Sequence, residues 1–94
     1  MDNSQRARLL LQELWKERLE FARLKLEAAK LRLEVAKELQ SQAPSADGAH
    51  AFRRALETKR RASTKYTLAL RIFTDLVVEG KVPERAVSAK RHRQ

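Results

Sequence analysis

Two long segments rich in helix-forming residues, separated by one short stretch that contains Pro44 and Gly48, constrain this chain most strongly. Leu, Ala, Glu, Lys and Arg dominate both segments, and these residues have high helix propensities. The other Gly and Pro are Gly80 and Pro83, at the spacing typical of a helix end. The pattern predicts helix 1 over about 4–41, a linker over 42–47, helix 2 over about 48–79, and a short C-terminal helical and basic extension over 80–94.

A short linker between two long helices is typical of an antiparallel helical hairpin. Folding the chain about Pro44 places residue i near residue 88 − i, which brings Phe73 near Trp15. A chain of 94 residues without cysteine has no disulfide to stabilise it, and oligomerisation is a common remedy for a small core. We therefore predict a single all-α domain: a long antiparallel two-helix hairpin with coiled-coil character, completed by oligomerisation. The alternative is a monomer whose C-terminal segment folds back over the open end of the hairpin.

Helix 1 carries two apolar stripes. The first follows a heptad pattern whose a and d positions are apolar except at Glu17. Its members are Leu10, Leu14, Phe21, Leu24, Ala28, Leu31 and Val35. The second stripe lies about 150° round the helix and comprises Leu11, Trp15, Leu19, Ala22, Leu26, Ala29, Leu33 and Ala36. A helix that packs on one side needs only one stripe, so both sides of helix 1 are expected to be contacted.

Charged residues beside the first stripe form regular rows. The g positions are all acidic: Glu13, Glu20, Glu27 and Glu34. The e positions Arg18, Lys25 and Arg32 are basic. A parallel pairing of two copies would set the g glutamates against the e cations of the partner, whereas an antiparallel pairing would oppose like charges. The same rows are also consistent with a simple solvated helix surface.

Helix 2 is basic on one side and apolar on the other. Over residues 52–65 five of its six cations, all but Lys59, fall within an arc of about 140°. The apolar stripe opposite has ten members, and Leu68 and Ile72 lie outside it. These members are Phe52, Ala55, Leu56, Ala62, Tyr66, Ala69, Leu70, Phe73, Leu76 and Val77. The residues expected to carry packing and assembly are Leu10, Leu14, Trp15, Phe21, Leu24, Leu31, Tyr66, Leu70, Phe73 and Val77.

The positive charge of the chain is concentrated in its second half. Residues 1–40 carry a net charge of +2 and residues 41–94 a net charge of +7. A basic helix face of this kind can contact several phosphates of a nucleic acid. The candidate polyanion-binding residues are Arg53, Arg54, Arg60, Arg61 and Lys65 on helix 2, with Lys90, Arg91 and Arg93 in the tail. No aromatic residue lies among those on helix 2 to stack on bases, so such binding would not depend on sequence.

The sequence contains no pattern typical of catalysis or of a cofactor site. There is no cysteine, and His50 and His92 are too far apart to suggest a metal site. The regularly spaced glutamates are a pairing pattern, not a convergent acid–base pair. Glycine-rich phosphate loops are absent. No apolar run is long enough for a membrane span, and the N-terminal residues lack the layout of a signal peptide. We expect a cytoplasmic, non-enzymatic protein without a metal or cofactor.

These patterns favour a helical protein–protein interaction or assembly module. Its expected partner is a second copy of itself, as a dimer, or another helical protein. The alternative function is that of an accessory protein that binds nucleic acid without sequence specificity through the basic face of helix 2.

Overall fold

The computed structural model describes residues 3–81 and shows two long helices side by side. Helix α1 spans Asn3–Gln42, helix α2 spans Ala46–Thr74, and a π-helical turn over Asp75–Glu79 continues α2. At 1.5 Å per residue, α1 is about 60 Å long and α2 about 44 Å. The described residues contain no strand. The predicted all-α fold, a long two-helix hairpin, is confirmed.

The linker is shorter than the sequence suggested and consists of residues 43–45. It ends at Ser45 because this residue caps α2: its backbone is extended, and its hydroxyl oxygen accepts a hydrogen bond from the Gly48 N–H at 2.9 Å. Such a bond satisfies one of the N–H groups that a helix start leaves without a partner. Asp47 therefore lies inside the first turn of α2, where its negative charge is favourable.

Polar contacts near both ends of the hairpin fix its register. Near the open end, the side-chain amide of Gln12 donates to the backbone carbonyl of Leu76 at 3.5 Å. At the linker end, Gln40 Oε1 accepts a hydrogen bond from the backbone N–H of Ser45 at 3.3 Å. The same oxygen lies against Gly48, where a Cβ atom would collide with it. The pairs Gln12–Leu76 and Gln40–Gly48 both match the predicted pairing of residue i with residue 88 − i.

The core of the hairpin is a single thin layer between the helices. Among the described residues, the buried apolar side chains are Leu26, Ala29, Ala69, Ile72 and Leu76. The second stripe of α1 supplies the first two, and its other members are half-buried. Two helices without a third element can cover only one side of each other, so much apolar surface remains outside.

The contact face of α2 coincides in large part with the apolar stripe expected for it and is shifted toward one edge near Ile72. Ile72, which falls outside that stripe, is buried, whereas Leu70 and Val77 within it are exposed. The buried residues Ala69 and Leu76 lie about 100° round the helix from Leu70. Ala69 and Leu76 are members of the expected stripe, and Ile72 lies one turn before Leu76 on the same side of the helix.

The C-terminal end of α2 is closed by Gly80, as predicted. Gly80 adopts a left-handed conformation with φ of 67°, which is favourable for glycine and strained for most other residues. The N–H groups of Gly80 and Lys81 both donate to the carbonyl oxygen of Asp75. The predicted C-terminal extension from Val82 onward lies outside the described residues.

Candidate assembly and anion-binding surfaces

The first apolar stripe of α1 faces away from α2. Its exposed members among the described residues include Leu31, with 68% of its surface accessible, Leu10 with 65% and Phe21 with 61%. Leu39 extends the stripe by one more turn and is also exposed. We call this surface, from Leu10 to Leu39, the outer stripe. It runs for about 44 Å along a helix whose opposite side is occupied by α2.

The residues expected to carry packing and assembly therefore divide into two groups. Trp15, Tyr66 and Phe73 are half-buried at the hairpin interface or its edge. The others are exposed in the single chain: Leu10, Leu14, Phe21, Leu24, Leu31, Leu70 and Val77. Five of these seven belong to the outer stripe. Within one hairpin their accessible fractions are 40–68%, and their role in assembly stays a prediction.

Ordered charges border the outer stripe on its acidic side. Arg23 lies between Glu20 and Glu27 and forms ion pairs with both, the second at 2.6 Å. Its hydrogen bond to Glu20 lowers the pKa of that carboxyl, and the pKa of Arg23 is raised chiefly by the same hydrogen bond. These groups are exposed to solvent, where ion pairs add little to stability. Arg23 thus helps to align the glutamates along one border of the stripe.

Cations on the other border contact aromatic rings. The Arg18 guanidinium lies 4.6 Å from the ring centroid of Trp15, and the Lys25 ammonium lies 5.0 Å from that of Phe21. Cations at this distance from a ring face are attracted to it. Arg18 and Lys25 are therefore held against α1 next to the outer stripe, with their charges at its edge.

The candidate basic residues of α2 lie on two different sides of the helix. Arg61 and Lys65 line a groove between the helices, together with Lys25 and Arg32 of α1. Arg54 shares their side of α2, since it precedes Arg61 by seven residues, or two turns. A second set, Arg53 and Arg60, lies about 80–100° farther round the helix, away from α1. The tail candidates Lys90, Arg91 and Arg93 lie outside the described residues.

The groove has a volume of about 300 Å³ and small residues along its floor. Its lining residues are Lys25, Ala28, Ala29, Arg32, Thr58, Arg61, Ala62 and Lys65. Four of these eight are basic and none is acidic. The nearest ion pair joins Arg61 Nε to Glu57 at 3.3 Å. It involves one of the three guanidinium nitrogens, and the Arg61 side chain is largely exposed.

Neither a metal-ligating cluster nor a membrane-spanning helix is found in residues 3–81. No three His, Cys, Asp or Glu side chains in this range are grouped as metal ligands would be. No helix there is both long and apolar enough to cross a bilayer. What the described surfaces offer is an apolar stripe between charged borders and a basic groove.

Comparison of the chain with protein-family models, with curated proteins and with solved structures finds no match.

Lys25 and Arg32 were not among the sequence-based candidates for a basic site. Their position beside the hairpin interface could be predicted in part, because e positions lie between the two stripes of helix 1. Which α1 residues lie next to the cations of α2 depends on which face of α2 packs against α1. The sequence pattern identified this contact face in part: it included Ala69 and Leu76 and left out Ile72.

Proposed function

We propose that this protein is a self-association module in which two copies pack the outer stripes of their α1 helices against each other. The observation that carries the proposal is the exposure of a heptad-spaced apolar stripe on the side of α1 opposite to α2. An isolated exposed leucine needs no explanation, but a long continuous apolar surface is typical of an interaction site.

The length and spacing of the outer stripe suit a paired helix. From Leu10 to Val35 the a and d positions cover about three and a half heptads with one interruption at Glu17, and three to four heptads are enough to indicate a coiled coil. At the linker end, Leu31, Val35 and Leu39 border a shallow apolar depression that also includes Gly48 and Ala51 of α2. A facing helix could place side chains there as knobs into holes.

Charge complementarity favours a second copy of this chain, paired in parallel. In that arrangement each g glutamate faces the e cation five residues ahead on the other helix. Glu13 faces Arg18 of the partner subunit, Glu20 the partner's Lys25, and Glu27 the partner's Arg32. An antiparallel pair would oppose glutamate to glutamate. A different helical protein could use the same stripe only with a matching charge pattern.

Sedimentation equilibrium tests the proposal with two variants matched in exposure. Leu31→Ala alters the outer stripe, whereas Val78→Ala alters a side chain that is 74% exposed but lies off the stripe. Both changes leave the hairpin core intact. Because each dimer contains two copies of Leu31, and loss of a packed leucine costs about 2–5 kcal/mol, we expect dimerisation to weaken by roughly 100-fold or more.

The Val78→Ala variant is expected to dimerise like the unaltered chain. Equal dimerisation of the two variants would show that the outer stripe is not the interface. An unaltered chain that remains monomeric at about 100 μM would overturn the proposal, and would favour the alternative in which the C-terminal segment covers the hairpin.

A further inference from the structure

The basic groove brings together cations that are far apart in the sequence. Lys25 and Arg32 stand on its α1 side, and Arg61 and Lys65 on its α2 side. Because the groove lining contains no carboxylate, these four charges are not neutralised within it. The one nearby acid, Glu57, contacts Arg61 from outside the groove. An anion in the groove would therefore meet positive charge from both helices at once.

The floor of the groove allows an extended anion to approach closely. It is formed by alanines, with Ala28 and Ala29 on one helix and Ala62 on the other. No large side chain stands between the two rows of cations. A bulky phosphate group could thus contact both rows, which a convex basic helix surface would not allow.

The spacing of the cations fits a chain of phosphates. Lys25 and Arg32 are about 10 Å apart along α1. On α2 the row of cations runs about 16 Å from Lys65 to Arg54, which lies beyond the groove lining. Phosphates of one duplex strand advance about 3.4 Å along the helix axis, so the longer row faces about five of them. The groove lining contains no aromatic or amide side chain, the groups that would stack on bases or read their edges.

We propose that this groove binds the phosphate backbone of nucleic acid without sequence specificity. The inference goes beyond self-association and concerns the groove of the single hairpin. In the proposed parallel pair Lys25 and Arg32 also face the partner's Glu20 and the partner's Glu27, so phosphates would compete with that pairing. The inference also changes the site expected from the sequence. Arg61 and Lys65 bind together with Lys25 and Arg32, and Arg54 continues their row on α2, whereas Arg53 and Arg60 lie outside the groove lining and contribute less.

Two triple variants of α2 with the same loss of charge test the groove. The groove variant is Arg54→Gln, Arg61→Gln and Lys65→Gln. The matched variant is Arg53→Gln, Arg60→Gln and Arg71→Gln, on the side of α2 away from the groove. Fluorescence anisotropy with a labelled duplex of about 20 base pairs measures affinity across a salt series, and circular dichroism checks that each variant remains helical.

We expect the unaltered chain to bind the duplex at low salt and to lose affinity steeply as salt rises. Each lost phosphate contact should reduce the slope of log K against log salt by about 0.9. For the groove variant we therefore expect a slope smaller by about 2–3 and binding at least tenfold weaker. The matched variant should stay within about threefold of the unaltered chain. Equal losses in the two variants would show that net charge alone attracts the duplex and would overturn the groove.

A second pair of variants tests whether α1 takes part. Lys25→Gln with Arg32→Gln removes the groove cations of α1, and Lys30→Gln with Lys37→Gln removes two lysines of the same seven-residue spacing on its other side. Duplex binding by the two double variants is compared at a protein concentration at which both have the same oligomeric state. Weaker binding in the first pair alone is expected. Absence of duplex binding by the unaltered chain at low salt, or equal binding by both pairs, contradicts the proposal.

Discussion

At the scale of single residues, the start of α2 depends on Ser45. Its hydroxyl oxygen accepts a hydrogen bond from the Gly48 N–H in the first turn of α2. Its backbone N–H donates a hydrogen bond to the side chain of Gln40 in α1. Either Ser45 or Asp47 could have served as the cap on sequence grounds, since both are favoured there. A linker of residues 43–45 is enough to turn the chain, so the earlier residue caps the helix.

Ser45→Ala removes the capping oxygen and should lower the free energy of unfolding by about 1 kcal/mol. Urea denaturation followed by circular dichroism measures this loss. Ser41→Ala is the matched control, because Ser41 is exposed near the end of α1 and alanine is at least as good a helix former there. If the two substitutions lowered stability equally, the cap would not be responsible.

Burial of individual side chains was only partly predictable. The second stripe of α1 was identified correctly, since Leu26 and Ala29 are buried. On α2, Ala69 and Leu76 of the expected stripe are buried, and its largest members, Tyr66 and Phe73, are half-buried. Ile72, outside the stripe, is also buried. The apolar pattern thus located the packed side of each helix but not its exact edge on α2.

At the scale of the element, the end of α2 shows what a sequence pattern can and cannot give. Gly80 was recognisable as a helix end. The π-helical turn before it was not, because no residue type specifies a shift of the hydrogen-bond pattern by one residue. Gln12 of α1 bonds to the Leu76 carbonyl within this turn. The Leu76 carbonyl is one of the last carbonyl groups of the helix, which have no backbone N–H partner within the helix.

Two substitutions of Gly80 show whether its effect on stability comes from its left-handed backbone conformation or from its small size. Gly80→Ala should destabilise the hairpin by roughly 1–2 kcal/mol, the cost of a left-handed conformation for an ordinary residue. Gly80→Asn should cost less, because asparagine tolerates this region. Thermal unfolding of both variants provides the measurement. A lower melting temperature for the asparagine variant than for the alanine variant would argue against a conformational cause.

At the scale of the whole molecule, the two stripes of α1 determine what kind of assembly the hairpin can form. In the proposed dimer, pairing through the outer stripe would place the two α1 helices against each other. Gly48 and Ala51 of each α2 would also border the interface at the linker end. The sequence predicted contacts on both sides of α1, whereas the hairpin partner accounts for one side only.

A single introduced cysteine tests the orientation of the proposed pair, because the chain has no other. Val35 occupies an a position of the outer stripe, so two Val35→Cys chains should form a disulfide-linked dimer under mild oxidation if the helices are parallel. In an antiparallel pair with the same overlap the two cysteines would be about 30 Å apart, and disulfide formation requires a Cα separation below about 7 Å.

Thr67→Cys serves as the control for random cross-linking. Thr67 is exposed on α2 and lies away from the outer stripe. Non-reducing electrophoresis should show rapid dimer formation for Val35→Cys and slow formation for Thr67→Cys. Similar rates would contradict a parallel pair.

Only five side chains are buried among residues 3–81, and this has a consequence for how the folded state is maintained. A core this small leaves little free energy to offset the ordering of two long helices. In the proposed dimer, association adds to folding by mass action, so the folded fraction rises with the amount of chain present. Dilution would then remove structure as well as the partner, and abundance itself would set whether the protein is in its active form.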